Sequence, residues 1–356
     1  MKKKIIIASS DAITQNLFLT KLTKYIQLKG HKTILLCRDP RNLKINNSKK
    51  IKILFPKTIS ELLNFKNIFL QIYKIYKINK QLSQPIFLLN TPLAAHFIRL
   101  ALYFSKPNII YFVHGYRFHP QNKILKNFLF KFLEYIFSFN TNKYININKH
   151  DFIFTKNILK KKNILINGVG IKLNKKIKNK KINFKKKIIG VLAAYKNEKG
   201  YLDLIYISEK LNKYNPNFEI RAFGNGNRSK YMSIIKKKKL KNIKLYNFRY
   251  DILNEIKKFD ILLHASFREG LPVSVIQSLS LGKPVIGRKI RGNIDLIKNG
   301  INGFLYQNVD EAFFKIKKLL TDQLLYKKFS RNAKETITDT YKHNFINNKI
   351  YDFIKN

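Results

Sequence analysis

Short apolar runs alternate with amphipathic stretches along the whole chain, and this alternation limits the fold more than any other feature. Such runs, ended by turn residues, are typical of strands and helices that follow one another in a parallel sheet covered by helices. In the first half the pattern predicts a helix over residues 16–29, ended by Gly30. The predicted strands of this half are residues 4–8, 33–37, 52–55, 86–90 and 109–114.

A second series of the same pattern follows residues 170–187, which are highly charged and have no apolar periodicity. Its predicted strands are residues 188–193, 219–223, 243–248, 261–265, 284–287 and 303–306. Because 356 residues suffice for two ordinary domains, we predict an α/β fold of two doubly wound, Rossmann-like domains that face a cleft. The predicted parts are a first domain at 1–168, a lysine-rich linker at 169–187, a second domain at 188–335, and a C-terminal helix at 336–356 that returns toward the first domain.

The composition is strongly basic, with 71 Lys and Arg residues against 20 Asp and Glu residues and a formal net charge of +51. A charge of this size attracts nucleic acid, anionic lipid and phosphorylated ligands alike. Two interpretations stay open for it. One is a function in polyanion binding, and the other is compositional drift in an AT-rich genome, which overuses lysine, isoleucine and asparagine at the surface.

The sequence also limits the cellular setting that we expect. The apolar core near the N-terminus covers only residues 5–8, which is too short for a secretory signal, and no stretch approaches the ~20 apolar residues of a membrane span. Cys37 is the only cysteine, which excludes an intramolecular disulfide framework and a cysteine cluster for zinc. We therefore expect a cytoplasmic protein, peripheral to the inner face of the plasma membrane.

The densest chemical information lies in residues 260–306, DILLHASFREGLPVSVIQSLSLGKPVIGRKIRGNIDLIKNGINGFLY. A buried strand is followed by a loop and then by a helix, for which Pro272 suits the first position. The free N–H groups at the start of this helix predict a phosphate site. Glu269 lies in the loop, within reach of sugar hydroxyls, and Gln277 leans back toward the helix N-terminus.

This segment resembles the C-terminal signature of glycosyltransferase family 4, which has the two-domain GT-B fold. The matching residues are Glu269-Gly270-Leu271-Pro272, Gly282-Lys283-Pro284-Val285-Ile286, Arg291-Gly292-Asn293 and Asn302-Gly303. The resemblance implies that Glu269 holds the donor sugar and that position 277 holds the nucleotide ribose. The family has a second Glu there, whereas this chain has Gln277, whose amide hydrogen-bonds without a charge. The donor-binding residues predicted beside them are Gly270, Leu271, Pro272, Val273 and Ser274.

Two other loops of the second half resemble the same family. Residues 195–200 follow a predicted strand, and the resemblance implies that Lys199 neutralises the donor diphosphate. The arginine that many members carry five residues earlier is replaced by Ala194, so we expect Lys196 to compensate, with Arg288 as a further cation. The candidate residues of the turn near the nucleotide are Gly224 and Gly226.

In the first half, residues 90–95 and 111–119 resemble a subgroup that builds capsules, O-antigens and related bacterial glycans. His114 ends a predicted strand there, and the resemblance implies that it contacts the donor sugar as a catalytic residue with Glu269 and Lys199. The glycine pair that many members carry in the first loop is absent, and residues 9–12 read SSDA. The resemblance covers nearly the whole chain.

The resemblance implies a retaining, metal-independent hexosyltransferase without a cofactor, and the sequence has no Asp-x-Asp triplet that would supply metal ligands. The expected donor is a UDP-hexose or UDP-N-acetylhexosamine, and the expected acceptor is a lipid-linked or lipopolysaccharide glycan at an anionic membrane. Two alternatives stay open: a sugar-nucleotide-binding relative with weakened catalysis, suggested by Gln277, and a basic nucleic-acid-binding protein. Against the second, no helix-turn-helix, RRM or zinc signature is present.

Overall fold

The computed structural model describes residues 3–173, 187–215 and 217–356. The chain divides into two compact units, the first formed by Met1–Gly170 with His343–Asn356 and the second by Ile171–Lys342. Most of the predicted linker, residues 174–186, lies outside the described residues.

The described part of the first unit holds a seven-stranded parallel sheet in the order β3-β2-β1-β4-β5-β6-β7. The strands are β1 Ile5–Ala8, β2 Thr33–Cys37, β3 Ser48–Lys52, β4 Ile86–Asn90, β5 Asn108–Val113, β6 Lys143–Asn146 and β7 Lys162–Leu165. β1, β2 and β4 are buried along their whole length, as expected of central strands covered on both faces. The strand order reverses between β1 and β4, where the Ser10 N–H donates to the Thr91 hydroxyl at 2.9 Å.

Helices cover both faces of this sheet. They are α1 Ala12–Thr14, α2 Thr20–Leu28, α3 Ile59–Leu63, α4 Phe65–Gln81, α5 Pro92–Ala101, α6 Ile124–Ser138 and α7 Lys149–Asn157. The predicted helix over 16–29 begins within a π-helical turn at Gln15–Leu19, which separates α1 from α2, and its α-helical part ends at Leu28.

The strand prediction for residues 52–55 was wrong. The edge strand is Ser48–Lys52, whose side chains are mostly exposed, and the apolar run follows it outside the strand. Ile53 and Phe55 are fully buried in the core, which explains their apolar character, and the Ile53 N–H donates to the Cys37 carbonyl at the end of β2. β6 and β7 were not predicted, since their few apolar residues lie between lysines and asparagines.

The described part of the second unit holds a six-stranded parallel sheet in the order β10-β9-β8-β11-β12-β13. The strands are β8 Lys187–Leu192, β9 Phe218–Gly224, β10 Ile243–Asn247, β11 Ile261–His264, β12 Val285–Arg288 and β13 Gly303–Tyr306. The helices are α8 Tyr201–Tyr214, α9 Ser229–Lys237, α10 Ile252–Lys258, α11 Val273–Ser280, α12 Asn293–Leu296, α13 Val309–Thr321 and α14 Gln323–Thr336. Each predicted strand of this half overlaps an observed one, and the order reverses between β8 and β11.

The last helix belongs to the first unit. α14 ends at Thr336, and the final helix α15 starts only at His343, so the predicted helix at 336–356 is shorter than expected. α15 (His343–Lys355) packs on α2, where the Tyr25 and Tyr351 rings meet edge to face at 6.0 Å. No described helix combines the length and apolar character that crossing a membrane requires.

A buried ion pair joins α5 to α6. Arg99 is fully buried and donates to Glu134 at 2.9 Å, while His96 contacts the other oxygen of this carboxylate at 2.9 Å. Burial by itself would raise the pKa of Glu134, but the charges of Arg99 and His96 lower it below its usual value. The Arg99 guanidinium also lies 4.5 Å from the centre of the Tyr111 ring. The pair therefore fixes α6 to α5 and, through Arg99 and Tyr111, to strand β5.

We expect Glu134→Ala to destabilise the protein by about 3–5 kcal/mol, because it leaves the Arg99 charge buried without its carboxylate. The free energy of unfolding, measured in urea by circular dichroism, checks this. Glu209→Ala is the matched control, since Glu209 pairs with Lys238 at the surface, and its effect should be much smaller. Equal effects of the two substitutions would contradict the assigned role of the buried pair.

Candidate active site

Nearly all of the predicted site residues of the second unit lie on loops or helix ends at the carboxyl edge of its parallel sheet. Open parallel sheets bind ligands outside this edge, at the point where the strand order reverses. Here that point lies between β8 and β11. The loop after β8 carries Lys196 and Lys199, and the loop after β11 carries Glu269.

The structure brings Lys199 and Glu269 together. The Lys199 ammonium lies 2.6 Å from Glu269 Oε1, and about a fifth of each side chain is exposed. Two backbone contacts hold the loops in place: the Phe267 N–H donates to the Glu198 carbonyl at 2.9 Å, and Gly200 lies against the Ala265 carbonyl. Gly200 has a positive φ of 75°, so the turn and the close approach both require glycine.

His264 is a third member of this cluster, and the sequence analysis did not single it out. It is the last residue of β11, is 3% exposed, and places Nε2 3.6 Å from Glu269 Oε1. Burial alone would raise the pKa of Glu269, but His264 and the Lys199 ammonium outweigh it and lower that pKa to about 2. Glu269 is therefore a carboxylate at neutral pH. His264 lies near the end of the predicted strand 261–265, whereas His114 was predicted from the family resemblance of residues 111–119.

The helix after this loop starts one residue later than predicted. Pro272 is the N-cap residue and Val273 the first helical residue of α11, because Pro272 has the extended ψ of 117°. Val273 and Ser274 are half-buried. Because the loop from the carboxyl end of β11 leads directly into α11, the first N–H groups of this helix lie at the carboxyl edge of the sheet, as do Gly270 and Leu271. Gln277 is half-buried one turn into the helix.

Gly224 and Gly226 form a tight turn beside the loop after β8. A Cβ on Gly224 would lie 1.9 Å from the Ala193 carbonyl oxygen, and Gly226 has a positive φ of 99°. The Tyr195 N–H donates to the Asn225 carbonyl at 2.8 Å, which ties the turn to the Lys196 loop. Lys196 itself is exposed.

Next to this turn, Arg228 and the end of β10 border a cavity of about 580 Å³ that was not predicted from the sequence. Its lining includes the aromatic side chains of Tyr246, Phe248 and Tyr250 and the guanidinium groups of Arg228 and Arg249. Flat aromatic surfaces beside cationic donors can hold a planar ring that carries hydrogen-bond acceptors.

Arg288 makes internal contacts. Its guanidinium pairs with Asp203, donates to the Ala265 carbonyl at 3.2 Å and to the Gln307 carbonyl at 3.1 Å, and lies 4.2 Å from the centre of the Phe267 ring. Arg288 therefore supports the loop that carries Glu269. Its predicted contact with a diphosphate stays a prediction.

His114 lies in the first unit, directly after β5. Its Nε2 is 3.0 Å from Asn90 Oδ1, and the Asn90 amide is oriented by its Nδ2, which donates to the Leu88 carbonyl at 3.1 Å. Since Oδ1 can only accept, Nε2 carries the ring proton and Nδ1 is left as an acceptor. Burial lowers the pKa of His114 to about 4, so the ring is neutral at physiological pH.

No three His, Cys, Asp or Glu side chains come close enough to hold a metal ion in the part of the chain that the structure describes.

Comparison with solved structures identifies the class to which this fold belongs. Sucrose-phosphate synthase from Thermosynechococcus elongatus superposes with a TM-score of 0.82 over 99% of this chain and 98% of its own, at 13% identity. The UDP-glucose complex of Anabaena Alr3699/HepE superposes with a TM-score of 0.77 over 99% and 100%, at 16% identity. Two doubly wound parallel sheets that match these structures confirm the predicted GT-B fold.

The sequence comparisons confirm the predicted resemblance. Residues 174–336, which span most of the second unit, match the family model described as glycosyl transferases group 1. A similar curated protein is the UDP-Gal:alpha-D-GlcNAc-diphosphoundecaprenol alpha-1,3-galactosyltransferase of Escherichia coli. It is 27% identical over 255 residues, which cover 66% of this chain and 65% of that protein. The match thus spans slightly less than two thirds of that relative's length.

We expect the ring signals of His114 in a pH titration followed by NMR to keep their neutral positions down to about pH 5 and to show a midpoint near pH 4. In the urea-unfolded chain the midpoint should lie near the ordinary value of ~6.5. The folded state binds this proton more weakly, so the contribution of His114 to stability is present above pH 6.5 and is lost as the pH falls toward 4. His114→Asn assigns the signals, and a folded-state midpoint near 6.5 would contradict the burial argument.

Proposed function

We propose that this protein transfers a hexose or N-acetylhexosamine from a nucleotide-diphosphate sugar, with a UDP-sugar favoured, to a membrane-associated glycan acceptor in bacterial surface polysaccharide synthesis. The observation that carries the proposal is the Lys199–Glu269 pair at the point of strand reversal. It joins a cation for a phosphate to a carboxylate for sugar hydroxyls. The E. coli relative uses a UDP-sugar and a diphosphoundecaprenol-linked acceptor by its name, and the Anabaena structure holds UDP-glucose.

The diphosphate of the donor would lie between Lys199 and the N-terminus of α11. The first N–H groups of a helix have no intrahelical partner and favour an anion. Val273 and Ser274 supply these groups, and the exposed Lys196 can add a second ammonium. These groups would stabilise the negative charge that develops on the leaving diphosphate.

The nucleoside would lie beyond the turn of Gly224 and Gly226, in the cavity bordered by Arg228 and the end of β10. The base can stack on Tyr246 or Phe248, and Arg228 can donate to its carbonyl oxygens. Gln277 can hydrogen-bond the ribose hydroxyls through its amide, with weaker bonds than a carboxylate would make.

The transferred sugar would contact Glu269 in the second unit. Glu269 Oε1 is engaged by Lys199, and among the described residues no hydrogen bond reaches Oε2, which can therefore accept from sugar hydroxyls. In the first unit, the neutral His114 has Nδ1 available as an acceptor, as its proposed contact with a sugar hydroxyl requires. Contacts of this kind raise kcat when they strengthen as the glycosidic bond breaks.

We propose retention of configuration without a metal ion or a dedicated protein base. The phosphate oxygen that leaves the sugar takes the proton of the acceptor hydroxyl, and the new glycosidic bond forms on the face from which the diphosphate departs. Lys199 and the N-terminus of α11 hold the departing diphosphate close to the sugar. The leaving diphosphate therefore acts as the base, and it also carries the developing negative charge that Lys199 and the N-terminus of α11 stabilise.

The acceptor side of the proposal rests on the surface of α6. Its exposed apolar side chains are Ile124, Leu125, Phe128, Leu129, Phe132 and Tyr135. Lys123, Lys126 and Lys131 are exposed on the same helix. A basic, aromatic-rich helix suits the interface of an anionic membrane, where a lipid-linked acceptor is held. The proposed location is therefore cytoplasmic, peripheral to the inner face of the plasma membrane.

Two other functions remain outcomes of the test. A relative with weakened catalysis would bind UDP-sugars without releasing nucleotide. This alternative is suggested by Gln277, which has an amide where the family has a carboxylate. A nucleic-acid-binding protein, suggested by the +51 charge, would be stabilised by random oligonucleotides and not by a UDP-sugar. A thermal-shift screen with both ligands, followed by assay of released UDP with lipid-linked acceptor present, separates the three.

We expect Lys199→Ala to lower kcat/KM for the donor by about one to two orders of magnitude, because a charge-assisted bond to the diphosphate contributes roughly 1.5–3 kcal/mol. Steady-state assay of released UDP over a panel of UDP-sugars measures this. Lys210→Ala is the control, since Lys210 pairs with Asp310 at the surface of the same unit. Unchanged turnover in Lys199→Ala would exclude Lys199 from the site.

We expect vesicles that contain anionic lipid to retain the protein at low salt. Replacing Lys123, Lys126 and Lys131 by Gln should weaken the partition by about a hundredfold, because each lysine near the surface contributes ~1 kcal/mol. The control replaces three exposed lysines of the second unit, Lys236, Lys237 and Lys241, and removes the same charge. Equal losses in both variants, or equal binding to neutral vesicles, would contradict a specific electrostatic role of α6. Sedimentation with vesicles is the measurement.

A further inference from the structure

We infer that His264 is a positioning residue, which takes over the Glu269 carboxylate when Lys199 turns to the donor diphosphate. The inference rests on the proposed function and deepens it, since it assigns a role at the same site to a residue that the family resemblance did not include. His264 would act through Glu269 and not by touching the sugar.

The first observation is that Lys199 has two tasks that conflict. In the structure its ammonium lies 2.6 Å from Glu269 Oε1, so the group proposed to bind phosphate is engaged by a carboxylate. A diphosphate brings more negative charge than one carboxylate and competes for the ammonium. When Lys199 moves, Glu269 loses its nearest cation while it remains largely surrounded by protein.

The second observation is the distance of His264. Nε2 lies 3.6 Å from the same Oε1, slightly longer than a hydrogen bond. A movement of roughly 0.7 Å would shorten it to the usual length of about 2.9 Å. Rotation of the Glu269 side chain alone can supply so small a movement. His264 is therefore placed to bind the carboxylate after Lys199 leaves.

The third observation concerns the other side of the His264 ring. Nδ1 is buried and has no hydrogen-bond partner in the structure. No neighbour therefore competes for the ring proton, and the tautomer with the proton on Nε2 can face Glu269. A buried carboxylate without a donor is costly, so this proton matters most when Lys199 is away.

The remaining charged groups near the pair act through the backbone. Arg288 donates to the Ala265 carbonyl, and Arg291 Nε donates to the Glu269 carbonyl at 3.2 Å. These contacts fix the loop, while Lys199 and His264 are the groups placed at the carboxylate itself. His264 thus controls the direction of the side chain, and the arginines control the position of its backbone.

The test uses two substitutions of the full chain, His264→Leu and His264→Gln. Leu fills a similar volume without a donor, whereas Gln keeps an N–H that can reach the carboxylate. With the UDP-sugar that the wild-type protein turns over, we expect His264→Leu to lower kcat by about ten- to a hundredfold, since misplacement by ~1 Å has effects of this size. Affinity for free UDP, measured by calorimetry, should stay within about twofold, and His264→Gln should recover most of kcat.

A second measurement is independent of activity. The free energy of unfolding at pH 7 is compared for wild type, His264→Leu, Glu269→Gln and the double variant. If His264 holds Glu269, the effect of His264→Leu is clearly smaller in the Glu269→Gln background. If His264 only fills space, the effect is the same in both backgrounds, and the inference is overturned.

The two measurements also separate failure of the inference from failure of the proposed function. Equal kcat for His264→Leu and wild type, equal losses in the Leu and Gln variants, or a parallel loss of UDP affinity would each overturn the positioning role. If wild type releases UDP from no sugar donor while the unfolding cycle shows coupling, the proposed transfer fails and the link between His264 and Glu269 stands.

Discussion

The site of the second unit depends on backbone contacts that leave no room for a side chain. A Cβ on Gly200 would lie 2.2 Å from the Ala265 carbonyl oxygen. A Cβ on Gly224 would lie 1.9 Å from the Ala193 carbonyl oxygen, and a Cβ on Gly292 would lie 2.3 Å from the Gly270 carbonyl oxygen. Real Cβ atoms do not approach other atoms so closely. The loops after β8, β9, β11 and β12 are therefore held at fixed distances by main-chain contact. The short distance between Lys199 and Glu269 follows from this packing.

Much of the fold could be predicted, because buried parallel strands read as continuous apolar runs. The central strands β2 and β4 and the strand β13 have the predicted bounds. The predictions failed at the edge of the first sheet, where that signal disappears. β3 consists mainly of exposed polar residues, whereas the apolar residues after it are buried in the core outside the strand, so the apolar pattern indicated the wrong segment.

The predictable part of the site is the set of loops that follow neighbouring strands of the parallel sheet. Lys199 and Glu269 follow neighbouring strands of a parallel sheet, so their loops had to meet at one edge. Side-chain pairing was not predictable in this way. The sequence does not reveal that Asp203 pairs with Arg288, because these residues are far apart in the chain. His264 and Glu269 are close in the chain, but the sequence does not show that the loop between them turns the carboxylate back toward the ring. The family motif includes Glu269 and the other residues of the loop, whereas His264, which also lies at the site, belongs to the strand before the loop.

The membership of α15 in the first unit has a consequence for the order of folding during synthesis. The helix follows the whole second unit in the chain, yet it packs on α2 through Tyr351 and buries Ile346, Ile350 and Ile354. While a ribosome makes the chain, the first unit emerges early but stays without one of its covering helices until the second unit has also emerged. During that interval the surface of α2 that α15 will cover is open to solvent and to other nascent chains. The second unit, whose strands and helices are contiguous, can complete its core first.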